Sequence, residues 1–421
     1  MSLPFDKKFG IILSIVVKNG QRLSIIWKKS IMSEARHKFL FAVLKPIVRV
    51  YSRLKFGFTY QKLKKKDLPE KYLILSNHTT DFDPLFLGIA TPGHSYFVAS
   101  EHITRFKVYN LIKWVFNPII RYKGTVASST VLDVLRRVRK GNNVALMAEG
   151  VRTFDGVTCP ILPSTAKLVK AAKCGLITYK LTGGYFASPL WSSSGNTRKG
   201  KVYGAPVNVY TKEQIAQMSE TELHLAITQD LYEDAYERQL KAPIRYKGKN
   251  LSDGLETLLF VCPTCNSRAK FESQGERIVC KECGLEIRYD EYGTLHGAPY
   301  SSVRDFSRWQ DEVIDQDVEN AVPYEAECAE LYEIQSNHEG ALKSKGKLVM
   351  TAEKLTCGDT DLLLESIYDM STCGRYKLMF SSGKVNYELV LAPKGNVVRF
   401  CKYFRACKNK SEANAINAIN A

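Results

Sequence analysis

The sequence predicts an α/β domain with a mixed sheet flanked by helices, followed by a four-cysteine module and a small C-terminal β domain. Three observations predict it. Between residues 72 and 181, apolar runs of strand length alternate with segments of helical periodicity, as in an open α/β sheet. Four of the eleven cysteines fall into two C-x-x-C pairs between residues 262 and 283. After about residue 340 the pattern turns to short alternating runs, KLVMTAE, LLLESIYDM, YKLMF and NYELVLA, which read as strands. At 421 residues the chain has room for several such units.

The elements follow in order. YLILSN at 72–77 is a buried strand, and PLFLGIA after Asp83-Pro84 opens a helix, with His78 to Asp83 as the turn between them. Ser129 can cap a helix whose positions Val131, Leu132, Leu135 and Val138 keep 3.6 spacing, ended by a basic last turn and Gly141. A strand from Val144 to Ala148 comes next. Then follow a helix from Ser164 to Lys173 with Gly175 beyond it, and a strand from Leu176 to Leu181. Two capping boxes, Thr211 with Gln214 and Ser219 with Glu222, introduce the helical sequence that closes this domain. The expected limits are an arm at 1–66, the α/β domain at 67–245, the cysteine module at 255–300 and the β domain at 335–410. A polar stretch from Lys241 to Gly254 leads into the cysteines, VVRFCKYF near the end is helical, and the terminal NAINAINA is expected to be disordered.

A composition of 45% hydrophobic and 24% charged residues excludes a disordered chain and a fully membrane-embedded one. The net charge of +17 is concentrated: residues 1–66 hold 16 Lys or Arg against two acids, Asp6 and Glu34. The arm also carries apolar runs, Phe9 to Val17 and Phe39 to Tyr51, each shorter than the roughly 20 residues that span a bilayer. Basic residues interleaved with such runs suit an amphipathic segment lying on an anionic membrane surface. Nucleic acid is the rival partner for a basic arm, but reading phosphates does not need Ile11-Ile12-Leu13 or Phe39-Leu40-Phe41. A membrane and no nucleic acid is therefore the expectation. The amino terminus mixes acids and bases around a short apolar run with no A-x-A-like site, which predicts a cytoplasmic protein, peripheral on the inner face of the membrane.

Chemistry is plausible where His78 and Asp83 share the turn of NHTTDFD, close enough to hydrogen bond. A carboxylate on one imidazole nitrogen fixes the tautomer and raises the basicity of the other, which can then take a proton from an attacking hydroxyl. Taken alone, such pairs are more often structural. A second element, MAEGVRTFDG, puts Glu149, Gly150 and Arg152 on a loop at a strand end. Gly150 lets backbone approach a ligand, and Arg152 can bind phosphate in bidentate fashion. In the third, NPIIRYKG, Arg121 follows an apolar run with Lys123 nearby.

Together these blocks resemble the glycerol-3-phosphate and lysophosphatidic acid acyltransferase superfamily. NHTTDFD is similar to its H-x4-D motif, IIR at Ile119 to Arg121 to its Ile-rich block, and EGVR at Glu149 to Arg152 to its E-G-x-R block, in the family's order over roughly residues 35–210. The resemblance implies His78 as general base, Asp83 as its orienting partner, and Arg121, Glu149, Gly150 and Arg152 as the groups holding the acceptor's phosphate. It implies acyl transfer from an acyl thioester, acyl-CoA or acyl carrier protein, to a lysophospholipid, foremost 1-acylglycerol-3-phosphate giving phosphatidic acid. The chain departs from the pattern at Met147-Ala148, where Phe-Pro is usual, and at Leu176 to Tyr179, which lacks the Val-Pro pair of the fourth block. A thioester hydrolase using the same dyad on water, and a non-catalytic membrane scaffold, are the alternatives. The first leaves the arginines without a use and the second makes the dyad a coincidence.

Cys262, Cys265, Cys280 and Cys283 have the spacing of two knuckles closing a tetrahedral site, with Pro263 and Gly284 at the turns. Four thiolates leave no coordination position for substrate, so the expected cofactor is a structural zinc in a ribbon. Cys159, Cys174, Cys328, Cys357, Cys373, Cys401 and Cys407 show no comparable spacing. On pattern alone the last β domain resembles the pleckstrin-homology-like sort.

Overall fold

The computed structural model describes residues 34–105, 109–121, 128–192, 196–335, 339–373, 375–391 and 395–420. The run Phe9 to Val17 and Lys123 lie outside the described residues, as do the side chains of 102, 105, 128 and 414–420.

The first described element is the helix Glu34–Phe56 (α1). Its buried row, His37, Phe41, Leu44, Val48, Ser52 and Phe56, keeps the three-and-four spacing of one helix face, and Phe39, Val43, Val50 and Leu54 stand exposed on another. There follow Thr59–Tyr60 (β1), Tyr72–Ser76 (β2), Asp83–Ala90 (α2), Ser95–Ser100 (β3), Tyr109–Phe116 (α3), Ile119–Arg121 (β4), Ser128–Arg139 (α4) and Asn143–Met147 (β5). Next come Ser164–Ala172 (α5), Gly175–Thr182 (β6), Gly184–Ala187 (α6), Tyr203–Tyr210 (β7), Lys212–Gln217 (α7), Glu220–Leu231 (α8) and Ala235–Lys241 (α9). The seven strands form one mixed sheet in the order β1-β7-β6-β2-β5-β3-β4, in which only β6 and β7 pair antiparallel. Every residue of β2 is buried, as a central parallel strand covered on both faces requires.

The arm expected at 1–66 is, from Glu34 onward, part of this domain: α1 packs on α2 and α3, and β1 pairs with β7. The predicted strands and helices between 72 and 182 are present with two corrections of detail. Ser129 lies inside α4 rather than capping it, and the helix buries Val134 and Val138 while Leu132 is exposed, because the sheet contacts a face one step round from the predicted one. Helix α5 ends on Lys173 in the left-handed conformation, leaving Gly175 to open β6. Both capping boxes are formed, and they start two separate helices, α7 and α8.

The stretch from Lys241 to Gly254 is not a free linker. Tyr246 and Leu251 are buried in the same core as the sheet, and Lys247 bridges to Lys199. It leads to a four-stranded antiparallel sheet of Phe271–Gln274 (β8), Arg277–Cys280 (β9), Glu286–Tyr289 (β10) and Leu295–His296 (β11). Arg198 is fully buried between the two units, its guanidinium 5.0 Å from the ring centres of both Trp191 and Tyr289.

Helix Val303–Glu319 (α10) then enters a second seven-stranded sheet, wholly antiparallel: Tyr324–Ile334 (β12), Gly340–Met350 (β13), Lys354–Cys357 (β14), Thr360–Leu363 (β15), Ile367–Cys373 (β16), Lys377–Ser382 (β17) and Val385–Leu391 (β18). Its order is β15-β14-β13-β12-β18-β17-β16. The β domain begins at Tyr324 rather than 335, since β12 pairs with both β13 and β18 and is its central strand. The run LLLESIYDM is broken by a turn at Leu364–Ser366 into parts of β15 and β16. Helix Val398–Asn420 (α11) buries Phe400, Cys401, Tyr403, Phe404 and Cys407 in the core of this sheet and continues through the segment expected to be disordered.

Candidate active site and cysteine centre

Because β2 and β5 are parallel neighbours, the turn after β2 and the loop after β5 emerge side by side at the same edge of the sheet. The first carries His78 and Asp83, the second Glu149 to Arg152. Backbone bonds join them: Ala148 donates to the Ser76 carbonyl at 2.9 Å and Thr153 to the His78 carbonyl at 3.0 Å. The side chain of Asn77, buried at the end of β2, exchanges two 2.8 Å bonds with the backbone of Leu181 and so ties β6 to the same turn.

Asp83 opens α2, with Pro84 behind it in the first turn. Its carboxylate is fully buried and every bond it accepts is local. Oδ2 takes His78 Nδ1 at 2.9 Å and the amides of Thr79 and Thr80 at 2.6 and 2.9 Å, and Oδ1 takes the Thr79 hydroxyl at 3.0 Å. This holds the imidazole by Nδ1 and leaves Nε2 as the free nitrogen, on a side chain that keeps 19% of its surface exposed. A Cβ on Gly184, at the start of α6, would lie 2.1 Å from Thr79 Oγ1, so the close approach of α6 to this turn requires glycine there.

Glu149 is 9% exposed and has both oxygens on backbone: Oε1 accepts from the His78 amide at 2.5 Å, Oε2 from the Cys159 amide at 2.6 Å. Burial pushes its carboxyl up to about 8 against the pull of those two amides, and the nearby charge of Asp83 adds to the rise. Expected among the phosphate-binding groups, Glu149 is placed instead where it fixes the backbone of His78.

Gly150 adopts φ +69°, and a Cβ there would lie 2.5 Å from Arg121 Nη1; the guanidinium occupies the space a side chain would need. Arg121 reaches this loop from the end of β4. Arg152 is held by Asp81 at 2.9 Å and by the Ser188 carbonyl at 2.6 Å, with 9% of its side chain exposed. The Nε groups of both arginines are buried and have no partner among the described residues. Two cationic N–H groups shielded from water without an acceptor suit an anion.

The structure therefore gathers all six of the expected site residues at one sheet edge. Sequence reasoning missed Asn77, Thr79, Thr80, Asp81, Ser188 and the Cys159 amide. Asn77, Thr79, Thr80 and Asp81 all lie inside the NHTTDFD motif, whose small polar residues are the signal of its scaffold. Ser188 and Cys159 carry no local signal.

In the four-stranded unit the sulfurs of Cys262, Cys265, Cys280 and Cys283 lie within 4.8 Å of one another, with Cys262 to Cys283 at 3.6 Å and Cys265 to Cys280 at 3.8 Å. A tetrahedral ion with bonds of about 2.3 Å separates its ligand sulfurs by roughly 3.8 Å, so the donor set fits zinc in size as well as in kind.

Residues 58–182 match the family model described as Acyltransferase, a span that contains the His78 turn, Arg121 and the Glu149 loop and stops short of the cysteine cluster. No curated protein matches the chain. Among solved structures the chain is similar to the 1-acyl-sn-glycerophosphate (LPA) acyltransferase PlsC from Thermotoga maritima, at 16% identity and a TM-score of 0.45, over 56% of this chain and 93% of that one.

Proposed function

We propose that the protein transfers an acyl group from an acyl thioester, carried by coenzyme A or an acyl carrier protein, to the free hydroxyl of a lysophospholipid, foremost 1-acylglycerol-3-phosphate to give phosphatidic acid. The observation that carries the reading is the His78–Asp83 pair, a partly open imidazole fastened at Nδ1 by a carboxylate with no exposure to water. Nε2 takes the proton of the acceptor hydroxyl as its oxygen bonds to the thioester carbonyl carbon. The imidazolium that forms is stabilised by Asp83. Collapse of the tetrahedral intermediate breaks the carbon–sulfur bond, and the leaving sulfur receives the proton from Nε2. Proton, acyl group and thiol balance without a metal in the step.

Arg121 and Arg152 hold the acceptor's phosphate through their unsatisfied N–H groups, with Gly150 giving them room and Glu149 positioning the His78 backbone. The four cysteines hold a structural zinc, which supplies folding energy to the ribbon. The strand order of the last domain, with its terminal helix, supports the pleckstrin-homology-like reading.

Membrane contact fits α1. The exposed row of Phe39, Val43, Val50 and Leu54 runs along a helix that also bears Lys38, Lys45, Arg49, Arg53 and Lys55, and no helix among the described residues is long and apolar enough to cross a membrane. The reading is a peripheral enzyme on an anionic surface, on the cytoplasmic side. Incubation with labelled acyl-CoA or acyl carrier protein and a panel of lysophospholipids tests the reaction. Acylated product must appear and must disappear in His78→Ala; thioester consumed to free acid alone would establish the hydrolase instead.

A further inference from the structure

A cleft of about 330 Å³ opens at the opposite edge of the sheet from His78. Helix α1 gives it Lys38, Phe41 and Lys45, and the loops entering β3 and β5 give it His94, Asn142 and Asn143. Ser95 and Asn143 are paired at the start of those strands, whereas Glu149 follows the end of β5. Five residues at about 3.3 Å each put roughly 16 Å of strand between the two places.

The lining is cationic and rich in donors. Neither Lys38 nor Lys45 has a carboxylate partner among the described residues. Lys45 donates one N–H to the Thr91 carbonyl, and burial together with Arg49 pushes its ammonium down to about 8. Both ring nitrogens of His94 are shielded and without a partner among the described residues. Burial, and then the charges of His37, Lys38 and Arg137, push the His94 imidazole down to about 4, opposed only by Glu34. Glu34 is itself engaged by the Asn142 amide at 2.8 Å. Asn143 accepts the Tyr72 amide at 3.2 Å through its oxygen, which leaves its N–H groups as donors. A half-buried ammonium, an exposed lysine beside it, and shielded imidazole and amide N–H groups without an acceptor suit an anion bearing several oxygens.

The setting says where that anion comes from. At 100° per residue, Lys38, Ala42 and Lys45 form a sector of α1 between its buried row and the exposed row of Phe39, Val43, Val50 and Leu54. With that apolar row in the interface, the cleft faces the headgroup layer.

We propose that this cleft binds the phosphate of an anionic membrane lipid, as a docking site separate from the acceptor site. It rests on the reading of α1 as the membrane-contacting helix. The experiment titrates the full chain with dihexanoyl-phosphatidylglycerol below its micelle concentration, and in parallel with inorganic phosphate. Histidine side-chain NMR follows binding, with His94 identified by the resonance missing in His94→Gln. The expected result is a saturable shift of His94, with its protonation moved to higher pH by the bound charge. The shift survives Arg152→Ala and weakens roughly tenfold or more in Lys38→Gln/Lys45→Met, where charge-assisted bonds are lost. Inorganic phosphate moves the same resonance only at much higher concentration. The proposal is overturned if His94 does not respond, if the double variant binds like the parent, or if inorganic phosphate binds as tightly as the lipid. Pelleting with phosphatidylglycerol vesicles is scored separately: a chain that binds the soluble lipid at His94 yet ignores vesicles refutes the membrane reading and leaves the cleft standing.

Discussion

Replacing Asp83 by Asn separates the carboxylate's two jobs, because the change keeps the shape and removes the charge. With the amide oxygen in the place of Oδ2, the amides of Thr79 and Thr80 and His78 Nδ1 keep their acceptor. The new NH2 then faces the Thr79 hydroxyl, which turns from donor to acceptor. The fold exchanges charge-assisted bonds for neutral ones, at a cost of about 1–3 kcal/mol. The chemical step loses more. An imidazolium roughly 4 Å from the missing charge forfeits about 4 kcal/mol at an effective dielectric of 20, which is roughly a thousandfold in kcat. Thiol release from acyl-CoA at saturating acceptor measures the rate, and a thermal melt checks the fold. Asp83→Ala is the wrong probe, since it strands two buried amides at about 1–3 kcal/mol each and confounds folding with catalysis. An Asn variant within tenfold of the parent rate, with its melting temperature preserved, would mean that Asp83 only caps the turn.

Four other outcomes are expected. Arg152→Ala or Arg121→Ala should raise KM for a phosphate-bearing acceptor at least tenfold and leave KM for the thioester nearly unchanged; equal effects on both would make the arginines structural. Glu149, with its carboxyl raised to about 8 from an ordinary 4.5, contributes stability that is fully present below about pH 4.5 and is lost as pH rises through about 8. Melts of Glu149→Gln should start lower, having lost one amide acceptor, and should lack that decline, whereas parallel pH profiles of parent and variant would contradict the burial argument. Zinc should be found at one equivalent per chain, and its chelation should unfold the ribbon without abolishing thioester binding; metal-free protein with an intact ribbon would end that reading. Replacing Phe39, Val43, Val50 and Leu54 by Ser should cut pelleting with anionic vesicles while sparing transfer to a short soluble acceptor.

What was legible in the sequence was local. His78 and Asp83 are five residues apart, each capping box spans three, and each cysteine pair is separated by two residues, so covalent spacing alone brings these groups within reach. What was not legible is long-range. Glu149 grips the His78 amide across 71 positions, Asn77 binds Leu181 across 104, and Arg121 fills the space over Gly150 only because β4 ends beside that loop. Glu149 shows the consequence, since a motif places it near phosphate and the fold spends both its oxygens on backbone. In α4, Val131, Leu132, Val134, Leu135 and Val138 form a stripe wide enough to pack in more than one phase, and the sheet, not the period, selected Val134. The strand β12 escaped notice because YEAECAELYEI carries four glutamates, residues depleted in strands; two neighbours pair with it, and its acids are met by Lys345 and Lys347 across the sheet.

The appended units also bear on the chemistry, because the loop after Arg152 does not hold itself in place. Ala235 donates to the Gly156 carbonyl at 3.0 Å and Thr158 to the Glu233 carbonyl at 2.9 Å, so the approach to α9 clamps this loop along its length. Asp234, at the centre of that clamp and nearly inaccessible, is bonded at 2.7 Å by Arg304 from the first turn of α10. On the other side, Phe154 packs in one core with Trp191 and with Val398 of α11, and Arg375 reaches the Trp191 carbonyl. Arg152 is braced in turn by the Ser188 carbonyl, three residues before Trp191. A guanidinium that must meet a phosphate within a few tenths of an ångström depends on how rigidly its loop is held. Helix α10, through Asp234, and α11, through the Phe154 core, therefore act on the site through position, and their loss would be felt first in acceptor affinity rather than in the His78–Asp83 pair, whose bonds are all made within one turn.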